Sequence, residues 1–485
     1  MKFDGCLTRP VASVPPAALL LVAVFALAGC ANPNGIVSKA TLRDTQSAGL
    51  PVDQVAVAPV DTQWWHQFGD AQLNSMIDDA LSTHPSLGVV QARLTRAQAG
   101  ADLTDAAGGP QLNAGLDLTR QQYTANGAVP APLAGSVRST GTAQLSGSWE
   151  IDFFGKNHAA LQAALGGTRA AQADLAAART LLASQVARTY FQWLRLNDQQ
   201  ALAQRLLAQR NQALQLVQSR VSAGLDSNVE LRQAESGLPE VRLQIESLQE
   251  QRTLTQNALN ALVFKPNQLV AGVSHSLINV KIIAPVGSIP ADLLGRRADI
   301  AAARWRVEAA SQDVSSARAQ FYPNVNLMAF AGFSSIGLDR LISTGSEQWG
   351  MGPALRLPLF DGGRLRANLV GKTADLDGAI ESYNVSVIDA VRDVADQLAI
   401  LQAVGRQQEA HRAAQAAADS SYAFAVQRHG AGLGNLLPVI AAQTAVLNQQ
   451  RAGLDLQARV LDTQVALMRA LGGGYLAELP APKPL

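Results

Sequence analysis

One stretch of this chain sets a reactive side chain in a pattern with a definite chemical outcome. Lys2 and Arg9 lead into the apolar run Ala17–Ala28 (AALLLVAVFALA), which ends in Leu27-Ala28-Gly29-Cys30. The run is too short to span a bilayer as a helix and has the layout of a signal-peptide core. Small residues before a cysteine form a bacterial lipobox, in which the thiol takes a diacylglycerol and the freed amine a palmitate-type acyl chain. Residues 1–29 then read as a removable signal and Cys30 as the lipidated first residue. Ala31, where an Asp would retain the protein in the inner membrane, favours outer-membrane delivery.

Other chemistry is poorly framed. Removal of residues 1–29 takes one of the two cysteines, Cys6, so the mature chain has no thiol pair for a disulfide or a cysteine metal site. The six histidines, His66, His84, His158, His275, His411 and His429, lie far apart without ligand spacing, so no metal site is expected. Gly430-Ala431-Gly432-Leu433-Gly434 looks like a phosphate loop, but it follows a helix instead of a strand and misses the G-x-G-x-x-G spacing. Turn chemistry accounts for it better. No nucleophile elbow frames any Ser, and no enzyme activity or cofactor is expected. With 39 Lys+Arg against 38 Asp+Glu, the chain has no basic excess for nucleic acid.

The elements that carry these residues are unusual. Asp361–Leu437 contains no proline and is rich in Ala, Gln, Leu and Val, predicting a helix from Arg364 to about Gln427. Asn157–Val221 reads the same way. Ser227-Asn228-Val229-Glu230 is a capping box that starts another helix running to about Val263, with Pro239 expected to kink or break it. A helical pattern also runs from Trp64-Trp65 to about Ala107. Between helices lie strands that alternate apolar and polar. Leu112, Ala114, Leu116 and Leu118 oppose Gln111, Asn113, Asp117 and Thr119, while Ala143, Leu145, Trp149 and Ile151 oppose Gln144, Ser146, Ser148 and Glu150. A second pair is expected over Val325–Phe333 and Gly350–Phe360.

The chain repeats itself. Pro110-Gln-Leu-Asn113 matches Pro323-Asn-Val-Asn326 at an offset of 213, and Arg220…Ala223-Gly224-Leu225 matches Arg428…Ala431-Gly432-Leu433 at an offset of 208. The expected layout is signal peptide 1–29, lipidated extension 30–63, repeat 1 over 64–264 (hairpin 110–154, tip near 222–228), linker 265–296, repeat 2 over 297–472 (hairpin 323–360, tip near 429–436) and tail 473–485. A period this long indicates duplication. Four strands with one apolar face cannot close a barrel in lipid, where open edges leave backbone groups unpaired. The chain must therefore pool strands with copies of itself. A lipid-anchored coiled-coil spacer would explain the helices but not the two apolar-alternating hairpins in register with the repeat.

Leu293-Leu-Gly-Arg-Arg-Ala-Asp-Ile300, Ala319-Gln-Phe-Tyr-Pro-Asn324, Pro358-Leu-Phe-Asp-Gly-Gly-Arg364 and Arg428…Ala431-Gly432 together resemble the outer-membrane efflux proteins, the TolC-like group, and the lipobox resembles its NodT-type lipoprotein branch. The likeness covers nearly the whole mature chain. It implies a mixed α and β fold: a long-helix periplasmic α-barrel and a transmembrane β-barrel built by a homotrimer with four strands per chain. It also implies docking on a periplasmic adaptor (membrane fusion) protein and an inner-membrane pump of the resistance-nodulation-division type, for passive conduction of drugs or other small toxic compounds. The same type of channel serving type I protein secretion is the nearest alternative. Ala298 and Arg304 stand where the family commonly has Pro and Glu, which bears on ion pairing near Arg297.

By the same resemblance, Ala223, Gly224, Leu225, Ala431, Gly432 and Leu433 form the adaptor-docking tips. The family commonly places Asp at the positions of Pro438 or Ala441, and some members have Arg at Thr444. With those charges missing, the expectation is a hydrophobic gate led by Leu437 with Leu436. Asn435 is expected to cap the following helix, and Glu230 to be the one carboxylate nearby.

Overall fold

The computed structural model describes residues 32–43, 60–264, 276–283, 293–434 and 436–475. Cys30 and Asn435 lie outside these. The elements in chain order are a 3₁₀ turn Trp64–Phe68, helices α1 (Ala71–Thr83) and α2 (Pro85–Gly108), strands β1 (Gln111–Gln122) and β2 (Val137–Ile151), and helices α3 (Lys156–Ser222) and α4 (Asn228–Val263). After a 3₁₀ turn at Leu277–Asn279 and one helical turn at Leu293–Arg296 come α5 (Ala298–Ala319), β3 (Asn324–Ile336), β4 (Glu347–Arg356), α6 (Arg364–Gly430) and α7 (Leu437–Ala470). Among the described residues no helix is long and apolar enough to cross a membrane.

Helices α3 and α6 are 67 residues each, about 100 Å at 1.5 Å per residue. Two expected boundaries are corrected, and of two expected outcomes at a third position one does not occur. The single pattern over 64–107 is divided at His84, which is extended (φ −69°, ψ 126°) because the ring of Pro85 disfavours helix in the residue before it. Helix α4 runs through Pro239 without a break, with Leu238 and Val241 buried on either side of it. Strand β4 stops at Arg356 instead of Phe360. Its last partner, Asn324, is the first residue of β3, and Pro358 has no N–H to offer.

The chain divides into two compact units: residues 1–41, 95–169 and 305–382, and residues 42–94, 170–304 and 383–485. The first holds one antiparallel sheet, ordered β1-β2-β3-β4. Its register joins the two halves of the sequence. Gln111 faces Ser148 in the first hairpin and Asn324 faces Arg356 in the second, which reproduces the offsets of 213 and 208 strand by strand. Between hairpins, Ser146 faces Phe330. One face therefore carries Leu112, Leu116, Ala143, Leu145, Trp149, Leu327, Phe333, Trp349, Met351 and Leu355. The other carries Asn113, Asp117, Thr142, Gln144, Ser146, Ser334 and Gln348, with Thr142 Oγ1 3.3 Å from Ser334 Oγ and Gln348 Nε2 donating to Gln144 Oε1 at 3.0 Å. Phe330 is an apolar exception on this polar face, its ring lying over Gly350, where a Cβ would come within 2.7 Å of the ring. Leu112, Leu116, Trp349 and Met351 are each more than 60 % exposed, an apolar surface that nothing among the described residues covers.

At the sheet's helical end Phe154 stacks on Tyr322 (centroids 4.9 Å apart), and Arg169 lies 4.6 Å over the Trp305 ring. A Cβ on Gly166 would come 3.2 Å from Ala309 Cα, so glycine lets α3 and α5 approach closely here.

The second unit has the aromatic core. Trp64, Phe68, Leu73, Met76, Ile77, Tyr190, Phe191, Leu194, Leu259 and Leu277 are fully buried. Asp70 caps α1, accepting from Gln72 N (2.9 Å) and Leu73 N (3.0 Å) on one oxygen and from Tyr190 Oη (2.8 Å) on the other. Burial, reinforced by that bond, pushes the Tyr190 phenol above its ordinary pKa. Helices α3 and α7 are tied by Arg188–Asp462 (2.5 Å) and Arg195–Asp455 (2.6 Å), seven residues apart on each helix. Arg297 is buried between Asp299 (2.7 Å), Asp393 (3.6 Å) and the carbonyl of Ala470 (3.2 Å), so its pairing is complete with Ala298 and Arg304 as they stand. Burial alone would raise the Asp299 carboxyl, but the Arg297 guanidinium holds it below the usual range.

The two faces of the sheet should respond differently to charge. Leu145→Arg should cost about 2–4 kcal/mol of stability in lipid vesicles, the range for a guanidinium on a lipid-facing strand, whereas Ser146→Arg should cost close to nothing. Urea unfolding followed by tryptophan fluorescence distinguishes them.

Candidate functional sites: the helical tips and the sheet edges

Both long helices end in the same device. At the first tip Leu225 N donates to Arg220 O (2.9 Å) and Gly224 N to Val221 O (3.0 Å). At the second, Leu433 N donates to Arg428 O (2.9 Å) and Gly432 N to His429 O (3.0 Å). These pairs of bonds define a Schellman cap, with Gly224 (φ +71°) and Gly432 (φ +73°) in the left-handed conformation that only glycine adopts freely. The glycines therefore have a structural duty whatever else the tips do. Leu225 and Leu433, 66 % and 72 % exposed, project from the two turns.

Beyond the caps the tips differ. In the first, Arg220 grips Asp226 with two parallel bonds, Nε–Oδ2 at 2.8 Å and Nη2–Oδ1 at 3.0 Å. Asp226 is a second carboxylate in this turn, correcting the expectation that Glu230 stands alone there. An Arg and an Asp six residues apart across a glycine cap is the sequence signal that would have found it. Glu230 closes the capping box, accepting from Ser227 N at 3.0 Å and from Ser227 Oγ. Hydrogen bonds from Arg220 to Asp226 and from Ser227 to Glu230 hold both carboxyls below their ordinary pKa. In the second tip Gly434 occupies the position of Asp226. Leu436 is the N-cap residue of α7 without a side-chain bond, and Pro438 sits in the first turn, where a missing N–H costs little. Leu436 is half-buried, Leu437 is 43 % exposed and Val439 is the apolar residue that packs inward.

The remaining open feature is the pair of sheet edges. β1 and β4 each pair on one side only, and every residue of β1 is exposed. A four-stranded sheet with an uncovered apolar face and two unpaired edges, continued into 67-residue helices with matched tips, is the layout of a membrane channel subunit with a long helical extension.

Comparison with known proteins gives the family. The sequence profile of the outer membrane efflux proteins matches residues 76–263 and 289–473, one segment in each half, and the chain belongs to that family. It is an outer-membrane efflux protein. It is 32 % identical over 472 residues to the multidrug resistance outer membrane protein MdtQ of Escherichia coli O6:H1, covering 95 % of this chain and 98 % of that one. It is 36 % identical over 440 residues to MdtP, another multidrug resistance outer membrane protein from the same strain, covering 86 % and 87 %. Among solved structures, the outer membrane protein VceC of Vibrio cholerae superposes with a TM-score of 0.79 at 34 % identity, over 86 % of this chain and 99 % of that one. CusC superposes equally well (0.79) at 24 % identity, over 90 % and 99 %, a likeness of fold.

The tips should separate under acid. Because the Asp226 carboxyl is depressed, its stabilising contribution is complete above the ordinary carboxylate pKa of about 4 and is lost as pH falls through the lowered value. Amide exchange, corrected for intrinsic rate, should therefore rise at residues 220–226 in strong acid and stay level at 428–434. Gly432→Ala should instead accelerate exchange at 428–433 at all pH values, by roughly five- to thirty-fold for a cost of about 1–2 kcal/mol.

Proposed function

We propose that the chain works as a homotrimer, its four strands contributing to a twelve-stranded barrel and its long helices to a periplasmic tunnel. On this reading the tunnel conducts drugs or other small toxic compounds passively, with energy from an inner-membrane resistance-nodulation-division pump coupled through a periplasmic adaptor. The observation that carries the reading is the sheet: an exposed apolar face bounded by two unpaired edges. In lipid each unpaired edge group costs several kcal/mol, so the edges must find partners, and identical chains supply them. That MdtQ and MdtP are named multidrug resistance proteins supports small compounds over secreted proteins. The chain supplies a conduit and no catalytic step.

The repeat also specifies how the edges meet. The β2–β3 pairing inside the chain is the template for β4 against β1 of the next copy. Carried over at the two offsets, Ser146 facing Phe330 becomes Ala354 facing Asp117, and Leu355 falls opposite Leu116, apolar to apolar. The same register reaches Leu357 and Leu359, so β4 should lengthen toward Phe360 on assembly. Native mass spectrometry in detergent should give a trimer, and oxidation of Ala354→Cys/Asp117→Cys should link copies in a ladder up to three. Ala354→Cys/Gln111→Cys, six residues out of register, should not link. A stable lipid-inserted monomer contradicts the reading.

Cys30 is proposed to bear a diacylglycerol and an amide-linked palmitate, anchoring the N-terminus beside the barrel; two or more acyl chains suffice for stable membrane attachment. Intact-mass analysis should show the mature chain beginning at Cys30 with the added lipid. Cys30→Ala should remove that mass and slow assembly without abolishing insertion, because the sheet also holds the protein in the membrane.

The pore is proposed to close at the second tip through Leu437, supported by Leu436, where apolar side chains around a three-fold axis exclude water. Its partial exposure within one chain leaves it available to that axis. Single-channel recording tests this: Leu437→Ser should raise conductance severalfold, while Glu230→Gln, whose carboxylate is engaged in its own cap, should leave it unchanged. Divalent-cation block abolished by Glu230→Gln, with Leu437→Ser silent, would reverse the assignment.

A further inference from the structure

The two edges of the sheet carry opposite charges on one face. Of the residues that β1 presents on the polar face, Gln111 to Gln121 in alternation, Asp117 alone is charged. Of those that β4 presents there, Gln348 to Arg356 in alternation, Arg356 alone is charged. Both are exposed, and among the described residues neither side chain has a hydrogen bond or ion pair.

The chain's internal seam shows what each would meet in a second copy. Ser148 faces Met328 there, so in the register carried over to β4 and β1, Arg356 faces Gly115 of the next copy. Asp117 of that copy is then a diagonal neighbour of Arg356 on the same face. Diagonal neighbours lie about 7–8 Å apart, within reach of a long side chain. Gly115 has no side chain to obstruct the guanidinium. The Asp117 carboxylate already leans over it, with Oδ2 4.0 Å from where a Cβ on Gly115 would stand. At the matching positions of the internal seam stand Ser148 and Phe330, so these charges belong to the seam between copies alone.

We propose that Arg356 and Asp117 form an ion pair across each seam between copies, and that this pair directs unlike edges together. The proposal rests on the trimer reading and adds what selects the edge. Before insertion an open edge also invites its like, β1 against β1 of a second copy or β4 against β4, and such pairings stop at two copies. In those pairings the polar rows bear charge of one sign. Across β4 and β1 they bear opposite signs, which favours the head-to-tail joint that closes into a ring. The polar face suits such a pair, because a guanidinium on the lipid face is penalised.

The test co-expresses two differently tagged full-length chains, one with Arg356→Glu and the other with Asp117→Arg, and sorts the trimers by native mass spectrometry in detergent. A uniform trimer of either chain has three repulsive seams. A mixed trimer has one, its other two joining opposite charges. Random assembly gives mixed and uniform trimers at about three to one, and the mixed share should exceed that ratio at least fivefold. Wild type under two tags should stay at the random ratio. Co-expression of Arg356→Gln with Asp117→Asn should also yield trimers, showing that both positions accept replacement. A random ratio for the charge-reversed chains, with trimers intact, removes the ion pair and leaves the trimer standing. No trimer from those chains, where the neutral variants assemble, removes it as well, because restored complementarity gave no help. In the carried-over register Glu347 faces Thr124, four residues from Arg120 on the apolar face. Enrichment from Arg120→Glu with Glu347→Arg in place of the first pair would therefore move the seam to another register and overturn the assignment. Monomers alone from wild type would remove the trimer reading itself.

Discussion

The demand of the backbone for hydrogen-bond partners governs this molecule. Strands β1 and β4 each leave a row of N–H and C=O groups unpaired, on a sheet whose apolar face is uncovered. In water such an edge is an aggregation hazard; in hydrocarbon it is not tolerated. Everything else accommodates that demand: the alternation that sorts side chains to two faces, the hairpin register, and the duplication that gives both edges complementary geometry. On the trimer proposed above, pooled strands satisfy the edges and give the helices a common axis to surround.

Duplication also explains the division between what the halves keep and what they vary. The pairing of β2 with β3 requires both hairpins to hold the same register, and the Schellman caps at Gly224 and Gly432 are kept in both halves with near-equal φ. Between those fixed points charge is free to diverge. Asp226 is an acid where the matching residue is Gly434, and one helix starts with a capping box while the other starts at Leu436 with no side-chain cap.

Much of the fold was legible because its signals are local. Period-two alternation at Leu112–Leu118 and Ala143–Ile151 assigned both faces of the sheet, Ser227-x-x-Glu230 located a helix start, and proline-free alanine-rich runs marked α3 and α6. The tips were legible as turns, from a glycine flanked by small residues. What could not be read depends on partners far apart in sequence. Tyr190 finds Asp70 across 120 residues, Arg188 finds Asp462 across 274, and Arg297 binds α7's last turn across 173. None has a neighbouring residue that announces it. The end of β4 failed for a related reason: Leu357 and Leu359 alternate correctly, but a strand exists only where a partner strand runs beside it.

The offsets of 213 and 208 differ by five, and the difference falls where the hairpins turn: residues 123–136 in the first half correspond to 336–344 in the second. An odd change in length would exchange the two faces of a strand if it occurred within one; in a loop it leaves every pair in place. These loops lie at the ends of the strands away from the helices, which in an outer-membrane barrel is the side turned to the environment. The part of the protein that antibodies and phages encounter is thus the part on which folding places the fewest conditions, free to change its identity while the conduit behind it stays the same.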